Sequence, residues 1–202
     1  MTILDQIAND KRFQPFWGWH DDHRYLDRTA AYTPAIQQNR SEFHQLADIL
    51  GYKGLRGKCL QLGLGIPGAS HIAFQMIFDR VWTIDSSLPA VKYFLNHVSD
   101  EVCVVVGDTH DDTTFDEIVA YGAVDLDFLF IDAGHLLEDV SSDFYTYGKL
   151  VKSGGVIAIH DALKRPTYEE EIQVWKFVDE LRSMGRSVQV IGDEIGIAWT
   201  TV

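Results

Sequence analysis

Three glycines and an aspartate are the first residues whose types and spacing point to chemistry. Gly63, Gly65 and Gly68 follow an apolar run with the spacing Gly-x-Gly-x-x-Gly, and Asp85 lies about 20 residues beyond the first glycine. Glycines at a strand-to-helix turn let the backbone approach a ligand closely, and an acid ending the next strand can accept both ribose hydroxyls. The pattern predicts a site for a ribose-bearing ligand, but it does not separate one nucleoside cofactor from another.

Further carboxylates follow other apolar runs in the same way. Asp132 and the pair His160-Asp161 come directly after such runs, and Asp108 follows one with a single glycine between them. A single aspartate at a strand end often caps the next helix, and that alternative stays open for each of them. Four carboxylates that converge with a glycine loop are harder to explain as caps, so these positions predict one ligand site.

Alternating strands and helices would place these residues together. The predicted strands are 58–62, 81–84, 102–106, 128–131 and 156–159, and the predicted helices are about 70–80, 88–96, 114–121, 138–150 and 168–184. Most of the strands are apolar at every position, as expected when helices cover both faces of a sheet. The alternation predicts a parallel sheet, and ligands bind such sheets beyond the carboxyl ends of the strands.

The end of the chain departs from this alternation. Residues 187–191 and 195–199 have strand character, and only Gly192-Asp193-Glu194 separates them. Because a parallel crossover needs a much longer connection, we expect a hairpin that puts one antiparallel strand at the sheet edge. The predicted fold class is α/β, with a doubly wound, Rossmann-like, mostly parallel seven-stranded sheet and a C-terminal antiparallel hairpin strand.

The first part of the chain is expected to be an N-terminal appendage, residues 1–57, attached to a domain spanning residues 58–202. Within it, Thr33-Pro34 is a plausible start for a helix that runs to about Leu50. The stretch 13–25 is rich in aromatic residues, including Trp17 and Trp19. It either closes over a bound small molecule or pins the N-terminus to the core, and both interpretations stay open.

Composition narrows the partners and the compartment. The chain has 202 residues, with 17 basic and 30 acidic side chains and a net charge of −13, which disfavours nucleic acid and anionic membranes as partners. Cys59 and Cys103 lie in apolar runs and behave as small hydrophobic residues, so a reducing compartment is favoured. No signal peptide or membrane span is visible in the sequence. We expect a cytoplasmic protein that acts on a small molecule, either alone or as a homo-oligomer.

The runs Phe-Leu-Phe-Ile-Asp-Ala-Gly-His at 128–135 and Gly-Gly-Val-Ile-Ala-Ile-His-Asp at 154–161, together with the terminal hairpin, resemble the class I S-adenosylmethionine-dependent methyltransferases. The likeness extends from about Leu60 to the C-terminus. Within the superfamily it is strongest to small-molecule O-methyltransferases of the catechol and macrolide-sugar type and to the cephalosporin hydroxylase-like group.

The resemblance implies roles for individual residues. The loop carrying Gly63, Gly65 and Gly68 would pass under the methionine part of S-adenosylmethionine, Asp85 would hold the ribose, and Asp108 would lie beside the adenine. Asp132 would serve both the cofactor side and the catalytic centre. In metal-dependent members, residues at the positions of Asp132, His160 and Asp161 bind a divalent cation, here Mg²⁺ or Mn²⁺. The position of His135 is that of the general base, which suits an imidazole because its ordinary pKa is near neutrality.

Two departures from the family pattern bear on these roles. Gln61 stands where many relatives have an acid that contacts the cofactor's amino group, and His160 replaces a carboxylate. The second change shifts the expected metal preference from Mg²⁺ towards Mn²⁺ or Zn²⁺. Each histidine has a structural alternative: His135 could bond only to backbone or to Glu138, and His160 could only brace a loop.

Two other function classes remain open at this point. A non-catalytic module that binds S-adenosylmethionine or a nucleotide would show the same glycine loop. An NAD(P)-dependent reductase would share the glycine loop and Asp85. The methyl acceptor is equally open between a phenol, a sugar hydroxyl and a carboxylate.

Overall fold

The computed structural model describes residues 38–65, 68–97 and 102–202, and all structural statements below concern this part of the chain. The helices are α1 (Arg40–Tyr52), α2 (Ala69–Gln75), α3 (Leu88–His97), α4 (Asp112–Ala120), α5 (Leu137–Tyr147) and α6 (Val174–Ser183). The strands are β1 (Lys58–Leu62), β2 (Arg80–Asp85), β3 (Cys103–Val106), β4 (Leu126–Ile131), β5 (Val151–His160), β6 (Gln189–Ile191) and β7 (Ile197–Thr201). Short 3₁₀ turns at Gly148–Leu150 and Pro166–Tyr168 precede β5 and α6.

The seven strands form one sheet in the order β3-β2-β1-β4-β5-β7-β6. The first five pair in parallel, while β7 is antiparallel to both β5 and β6. The strand order reverses between β1 and β4, and at such a point the connections diverge and leave a crevice at the carboxyl ends. The predicted fold class is confirmed.

Helices cover both faces of the sheet because successive strand side chains alternate between them. On one face, Phe128 and Phe130 of β4 pack with Phe74 of α2 and with α1 and α3. On the other, Leu129 and Ile131 pack with α4, α5 and α6. This double burial explains why the strands read as continuous apolar runs.

The structure corrects several details of the sequence-based prediction. The antiparallel strand β7 does not lie at the edge: it is inserted between β5 and β6, and β6 is the edge strand. Strand β5 begins five residues earlier than the sequence indicated. Its first half was not predicted because it contains Gly154 and Gly155, which are poor strand formers. Helices α2 and α6 are both shorter than the predicted 70–80 and 168–184.

Helix α1 is joined to the C-terminal hairpin by a buried carboxylate. Glu42 is fully buried, and its Oε1 accepts hydrogen bonds from the backbone N–H groups of Glu194, Ile195 and Gly196 at 3.4, 3.1 and 2.9 Å. Asn39 caps α1 through its Oδ1 and donates from Nδ2 to Glu194 at 3.0 Å. The described part of the expected appendage therefore packs directly on the sheet and on the hairpin turn. The boundary at residue 57 stays a prediction.

None of the helices that the structure describes is both long enough and apolar enough to cross a lipid bilayer.

Candidate functional site

A cleft of about 690 Å³ opens at the carboxyl ends of the parallel strands. It is lined by all but one of the residues predicted from the sequence to form the site: Gly63, Gly65, Asp85, Asp108, Asp132, His135, His160 and Asp161. The exception is Gly68. A Cβ atom there would lie 2.5 Å from the Phe94 ring, so this glycine serves the packing of α2 against α3.

The glycine loop passes close to the end of β4. Gly63 has a φ of +86°, and a Cβ atom on it would lie 1.9 Å from the carbonyl oxygen of Asp132. No side chain fits there, so the loop needs glycine for both conformation and space. Gln61, fully buried beneath the loop, donates from Nε2 to the Gly63 carbonyl and to the Ser70 hydroxyl, each at 2.7 Å.

Asp85, at the end of β2, holds this loop. Its Oδ2 accepts hydrogen bonds from the N–H groups of Leu64 and Gly65 at 2.8 and 3.1 Å, and its Oδ1 accepts from Ser87 N–H at 2.7 Å. Because each carboxylate oxygen has two lone pairs, Oδ1 keeps capacity for a ligand hydroxyl. This geometry is compatible with the predicted contact between Asp85 and a ribose.

The far end of the cleft lies beyond β3. Asp108 is mostly exposed and its Oδ1 accepts from His110 N–H at 2.9 Å, while the Tyr147 hydroxyl donates to the Thr109 carbonyl at 3.0 Å. Beneath this turn, Asp143 of α5 is fully buried, and neither of its oxygens has a hydrogen-bond partner of good geometry among the described residues. Burial raises the pKa of Asp143 to about 6, although the Thr109 hydroxyl and His110 oppose the shift.

Two aspartates and two histidines converge at the other end of the cleft. His160 Nδ1 lies 3.1 Å from Asp132 Oδ1 and 3.2 Å from Asp161 Oδ2. His135 Nε2 lies 3.0 Å from Asp161 Oδ2 and 3.7 Å from Asp132 Oδ1. We call these four residues the Asp-His cluster. Its geometry agrees with the predicted convergence of the fourth and fifth strand ends.

The local backbone positions the cluster. Asp132 continues the β1–β4 ladder, since its N–H donates to the Leu62 carbonyl at 2.9 Å. Asp161 has a φ of +60°, which turns the chain sharply after β5. The His135 carbonyl accepts from Gln173 N–H at 2.8 Å, so the segment before α6 fixes the loop that carries this histidine.

The four side chains strongly perturb each other's protonation. Hydrogen bonds to Asp132 and Asp161 raise the pKa of His135 to about 9. Burial opposes a charge on His160, but the same two carboxylates outweigh it and raise the pKa of His160 to about 10. Burial also opposes charge on Asp132 and Asp161, yet the imidazoles hold the pKa of both carboxyl groups below the ordinary value. Without a bound cation, the cluster thus balances two carboxylates with two imidazolium groups.

The donor set also fits a divalent cation. Ligand atoms of Asp132, His135 and Asp161 all lie within 4.8 Å of one another, and His160 Nδ1 adjoins both carboxylates. Two carboxylate oxygens with imidazole nitrogen suit Mn²⁺ or Zn²⁺ better than a site made of oxygen alone does. The geometry leaves either histidine able to supply the nitrogen, but their exposure differs. The His160 side chain is only 5% exposed, whereas that of His135 is 37% exposed.

Two residues of the site were missed by sequence reasoning. Gln38 is buried and donates from Nε2 to Asp132 Oδ2 at 2.8 Å, and Arg165 lines the cleft with its guanidinium on Asp161 Oδ1. Nothing in the sequence around Gln38 signals this contact. The basic pair Lys164-Arg165, just after a strand end rich in acid, was a visible signal for the second. The aromatic stretch 13–25 lies outside the described residues.

Several solved structures share this fold. An O-methyltransferase from Bacillus cereus in complex with SAH has a TM-score of 0.66 and 19% identity, covering 83% of this chain and 82% of that chain. The O-methyltransferase TomG from Streptomyces achromogenes, in complex with SAM, has a TM-score of 0.67 and 19% identity, covering 96% and 90%. MycE methyltransferase, in complex with Mg, SAH and mycinamycin VI, has a TM-score of 0.57 and 17% identity, covering 79% and 48%.

A family model described as a methyltransferase domain matches residues 19–162, which include the glycine loop, Asp85 and the Asp-His cluster. The match confirms the family resemblance seen in the sequence and gives the reductase alternative no support. The chain belongs to the methyltransferase-domain family.

Proposed function

We propose that this protein transfers a methyl group from S-adenosylmethionine to a hydroxyl of a small molecule, assisted by a divalent cation. The observation that carries the proposal is the convergence of His135, His160, Asp132 and Asp161 at one end of a cleft whose other parts hold the glycine loop and Asp85. Three structural neighbours, the two O-methyltransferases and MycE, are recorded with SAM or SAH, and MycE with Mg as well, which supports both cofactors.

In the proposed arrangement, Gly63, Gly65 and Asp85 hold the cofactor, with Asp108 at its adenine end. Asp132, Asp161 and His160 would hold the cation, because His160 is only 5% exposed and its Nδ1 adjoins both carboxylates. The cofactor supplies the methyl group as a sulfonium, and the cation supplies charge that polarises the acceptor hydroxyl.

His135 is then the general base that takes the proton from the acceptor hydroxyl. Its side chain is partly exposed and lines the cleft, within reach of an acceptor bound there. With the pKa near 9 in the absence of a cation, this imidazole is protonated at neutral pH and cannot act as a base. If Asp132 and Asp161 bind a cation, their hydrogen bonds to His135 weaken and the pKa of His135 falls. The base role of His135 therefore depends on cation binding.

Calorimetry tests the cofactor assignment. We expect the protein to bind S-adenosylhomocysteine more tightly than NAD. Replacement Asp85→Ala should weaken that binding by about 1.5–3 kcal/mol, the range for hydrogen bonds to a charged group. Asp79→Ala, which removes an exposed carboxylate before β2, is the matched control and should change nothing. Tight binding of NAD without binding of S-adenosylhomocysteine would contradict the assignment.

Turnover separates an enzyme from a binding module. With a panel of phenols, sugars and hydroxy acids, we expect methyl transfer that EDTA abolishes and Mn²⁺ restores at least as well as Mg²⁺. S-adenosylhomocysteine should stay bound in EDTA. Full activity in EDTA would remove the cation from the proposal, and retained cofactor without turnover on any acceptor would favour a non-catalytic module.

The partners and compartment also remain proposals. The net charge of −13 supports a small-molecule acceptor rather than nucleic acid, and both cysteines, Cys59 and Cys103, are free, which is compatible with the cytoplasm. The assembly of a homo-oligomer is a prediction that sedimentation would check.

A further inference from the structure

We propose that Arg165 binds a carboxylate on the methyl acceptor, so that the acceptor is a small hydroxy acid rather than a neutral alcohol or phenol. The inference rests on the proposed function and deepens it by naming the substrate class. Arg165 lies four residues beyond Asp161, in the segment that follows β5, and lines the same cleft as His135 and the glycine loop.

The guanidinium of Arg165 is held in place but is not saturated. One terminal nitrogen contacts Asp161 Oδ1, and the guanidinium carbon lies 5.7 Å from the centroid of the Tyr168 ring. The Nε atom is buried and has no hydrogen-bond partner among the described residues. A buried N–H without an acceptor is unfavourable, and a guanidinium edge matches a planar carboxylate in a two-point contact. The Arg165 side chain is 26% exposed, so an oxyanion in the cleft can bind the terminal N–H groups that Asp161 does not engage.

The charge around the cleft makes this position distinctive. The cleft lining includes five carboxylates, those of Asp85, Asp108, Asp132, Asp139 and Asp161, and Arg165 is the only lysine or arginine in it within the described chain. Within the Asp-His cluster the two imidazoles already pair with the two carboxylates, so Arg165 adds a positive charge in excess of these pairs, and an anionic group is favoured beside it. A carboxylate on the acceptor would therefore be directed to Arg165, and this contact would orient the rest of the molecule.

Asp161 contacts both Arg165 and His135, the proposed general base. Arg165 contacts Oδ1 of Asp161, and His135 Nε2 lies 3.0 Å from Oδ2. The two side chains therefore flank one carboxyl group. An acceptor whose carboxylate sits on Arg165 can place a hydroxyl near His135 when the two groups are a few bonds apart. Hydroxybenzoates and short hydroxy acids meet that requirement.

The test compares matched acids and amides. Calorimetry on the full chain loaded with S-adenosylhomocysteine and Mg²⁺ would measure binding of 3,4-dihydroxybenzoate against 3,4-dihydroxybenzamide, and of mandelate against mandelamide. We expect at least one acid to bind about 10-fold or more tightly than its amide, which corresponds to a single well-placed charged contact. Arg165→Gln should remove this ratio, and Arg165→Lys should keep part of it.

Lys164→Gln is the matched control. Lys164 pairs with Glu169 at 3.0 Å, lies over the Trp175 ring and does not line the cleft. Its replacement should leave the acid-to-amide ratio unchanged. The ratio is a property that a purely structural role of Arg165 would not move, and Arg165→Lys supplies the measurement if Arg165→Gln does not fold.

The outcomes separate the inference from the proposed function. If S-adenosylhomocysteine binds but acids and amides bind equally, or no acid binds, the inference is overturned while the cofactor assignment stands. The same holds if Lys164→Gln lowers the ratio as much as Arg165→Gln does. If the wild-type protein fails to bind S-adenosylhomocysteine, the proposed function itself fails.

Discussion

Asp161 contacts three cationic or basic groups through two oxygens. Oδ1 contacts Arg165, while Oδ2 lies within 3.2 Å of both His135 and His160. It also adopts a left-handed backbone conformation, which costs energy for a residue with a side chain. A residue held in this conformation by so many contacts is consistent with a site that is organised before its ligands bind.

At the scale of single residues, His135 offers the sharpest test of the reaction. Because a positioned general base contributes about 10²–10⁴-fold, His135→Ala should lower the turnover rate by that factor. Binding of S-adenosylhomocysteine should not change, since Gly63 and Asp85 lie elsewhere in the cleft. Stopped reactions with labelled cofactor would measure the rate, and calorimetry would measure cofactor and Mn²⁺ binding.

His160→Ala is the informative counterpart. The assignment of His160 to the cation predicts that this change weakens Mn²⁺ binding more than His135→Ala does. The reverse order, with His135→Ala losing Mn²⁺ and His160→Ala retaining it, would contradict the division of roles between the two histidines.

Asp143 predicts a pH dependence of stability. Burial raises its pKa in the folded protein to about 6 from an ordinary 3.8, so folding favours the neutral acid. The stabilisation is fully present below about pH 4 and is lost as the pH rises through 6. Asp143→Asn keeps the residue neutral and should stabilise the protein at pH 7.5 by about 3 kcal/mol, with little effect near pH 4.

Urea unfolding at the two pH values would measure this difference. Asp116→Asn, which changes an exposed carboxylate on α4, should have no such pH-dependent effect. Equal destabilisation by Asp143→Asn at both pH values would show that the charged form of Asp143 is not disfavoured in the folded protein.

Contacts between residues that are far apart in the sequence could be predicted only where a recognisable strand end positions them. Asp132, His135 and Asp161 were predictable because each follows a recognisable strand, and strand ends in a parallel sheet share an edge. Gln38 was not, since it precedes α1 and meets Asp132 across 94 positions of sequence. Gly68 was predicted to contact ligand because its spacing fits the motif; it does not line the described cleft, and a side chain there would meet the Phe94 ring.

At the scale of elements, α1 and the hairpin turn depend on one carboxylate. Glu42→Ala would leave three backbone N–H groups without their acceptor, two of them in buried bonds. At about 1–3 kcal/mol for each of the two unsatisfied buried donors, we expect a loss of about 2–6 kcal/mol in the free energy of unfolding. Chemical denaturation would measure it.

Glu42→Gln and Asp48→Ala are the control variants for this measurement. The glutamine retains a carbonyl oxygen for the same N–H groups and should restore most of the stability. Asp48 is exposed on the same helix, so its replacement should matter little. A Glu42→Ala protein as stable as the wild type would mean that the turn reorganises around water at no cost.

Elements that follow local patterns were predicted well, and those set by long-range pairing were not. The runs of β1 to β4 are apolar and short, so their positions were recognisable. The hairpin of β6 and β7 was also predictable from its short connection. Which of the two strands pairs with β5 was not, because that choice depends on side chains far apart in the chain.

At the scale of the whole molecule, the sheet is completed by β7, the last of the strands that the structure describes. Residues Val156 to His160 of β5 pair with Thr201 to Ile197 of β7, which separates β5 from the edge strand β6. A chain that lacks residues 187–202 would expose that row of β5 backbone groups and leave Glu42 without its partners. We expect such a chain to lose its cooperative thermal transition and to aggregate.

Calorimetric scans and light scattering would check this expectation. Addition of a peptide spanning 187–202 during refolding should recover part of the transition, because the missing strand would pair again. A truncated chain that unfolds cooperatively near the temperature of the full chain would show that the hairpin is dispensable.

The insertion of β7 has a consequence for how the protein is made. A ribosome releases the strands in sequence order, and β1 to β5 can pair as they emerge. Of the seven described strands, the one that closes the open side of β5 emerges last, and the turn that binds Glu42 comes just before it. Until β7 pairs, β5 is an edge strand, although it lies inside the finished sheet. The backbone groups of β5 on this side, and the buried Glu42 of α1, therefore obtain their partners only once the hairpin has been made.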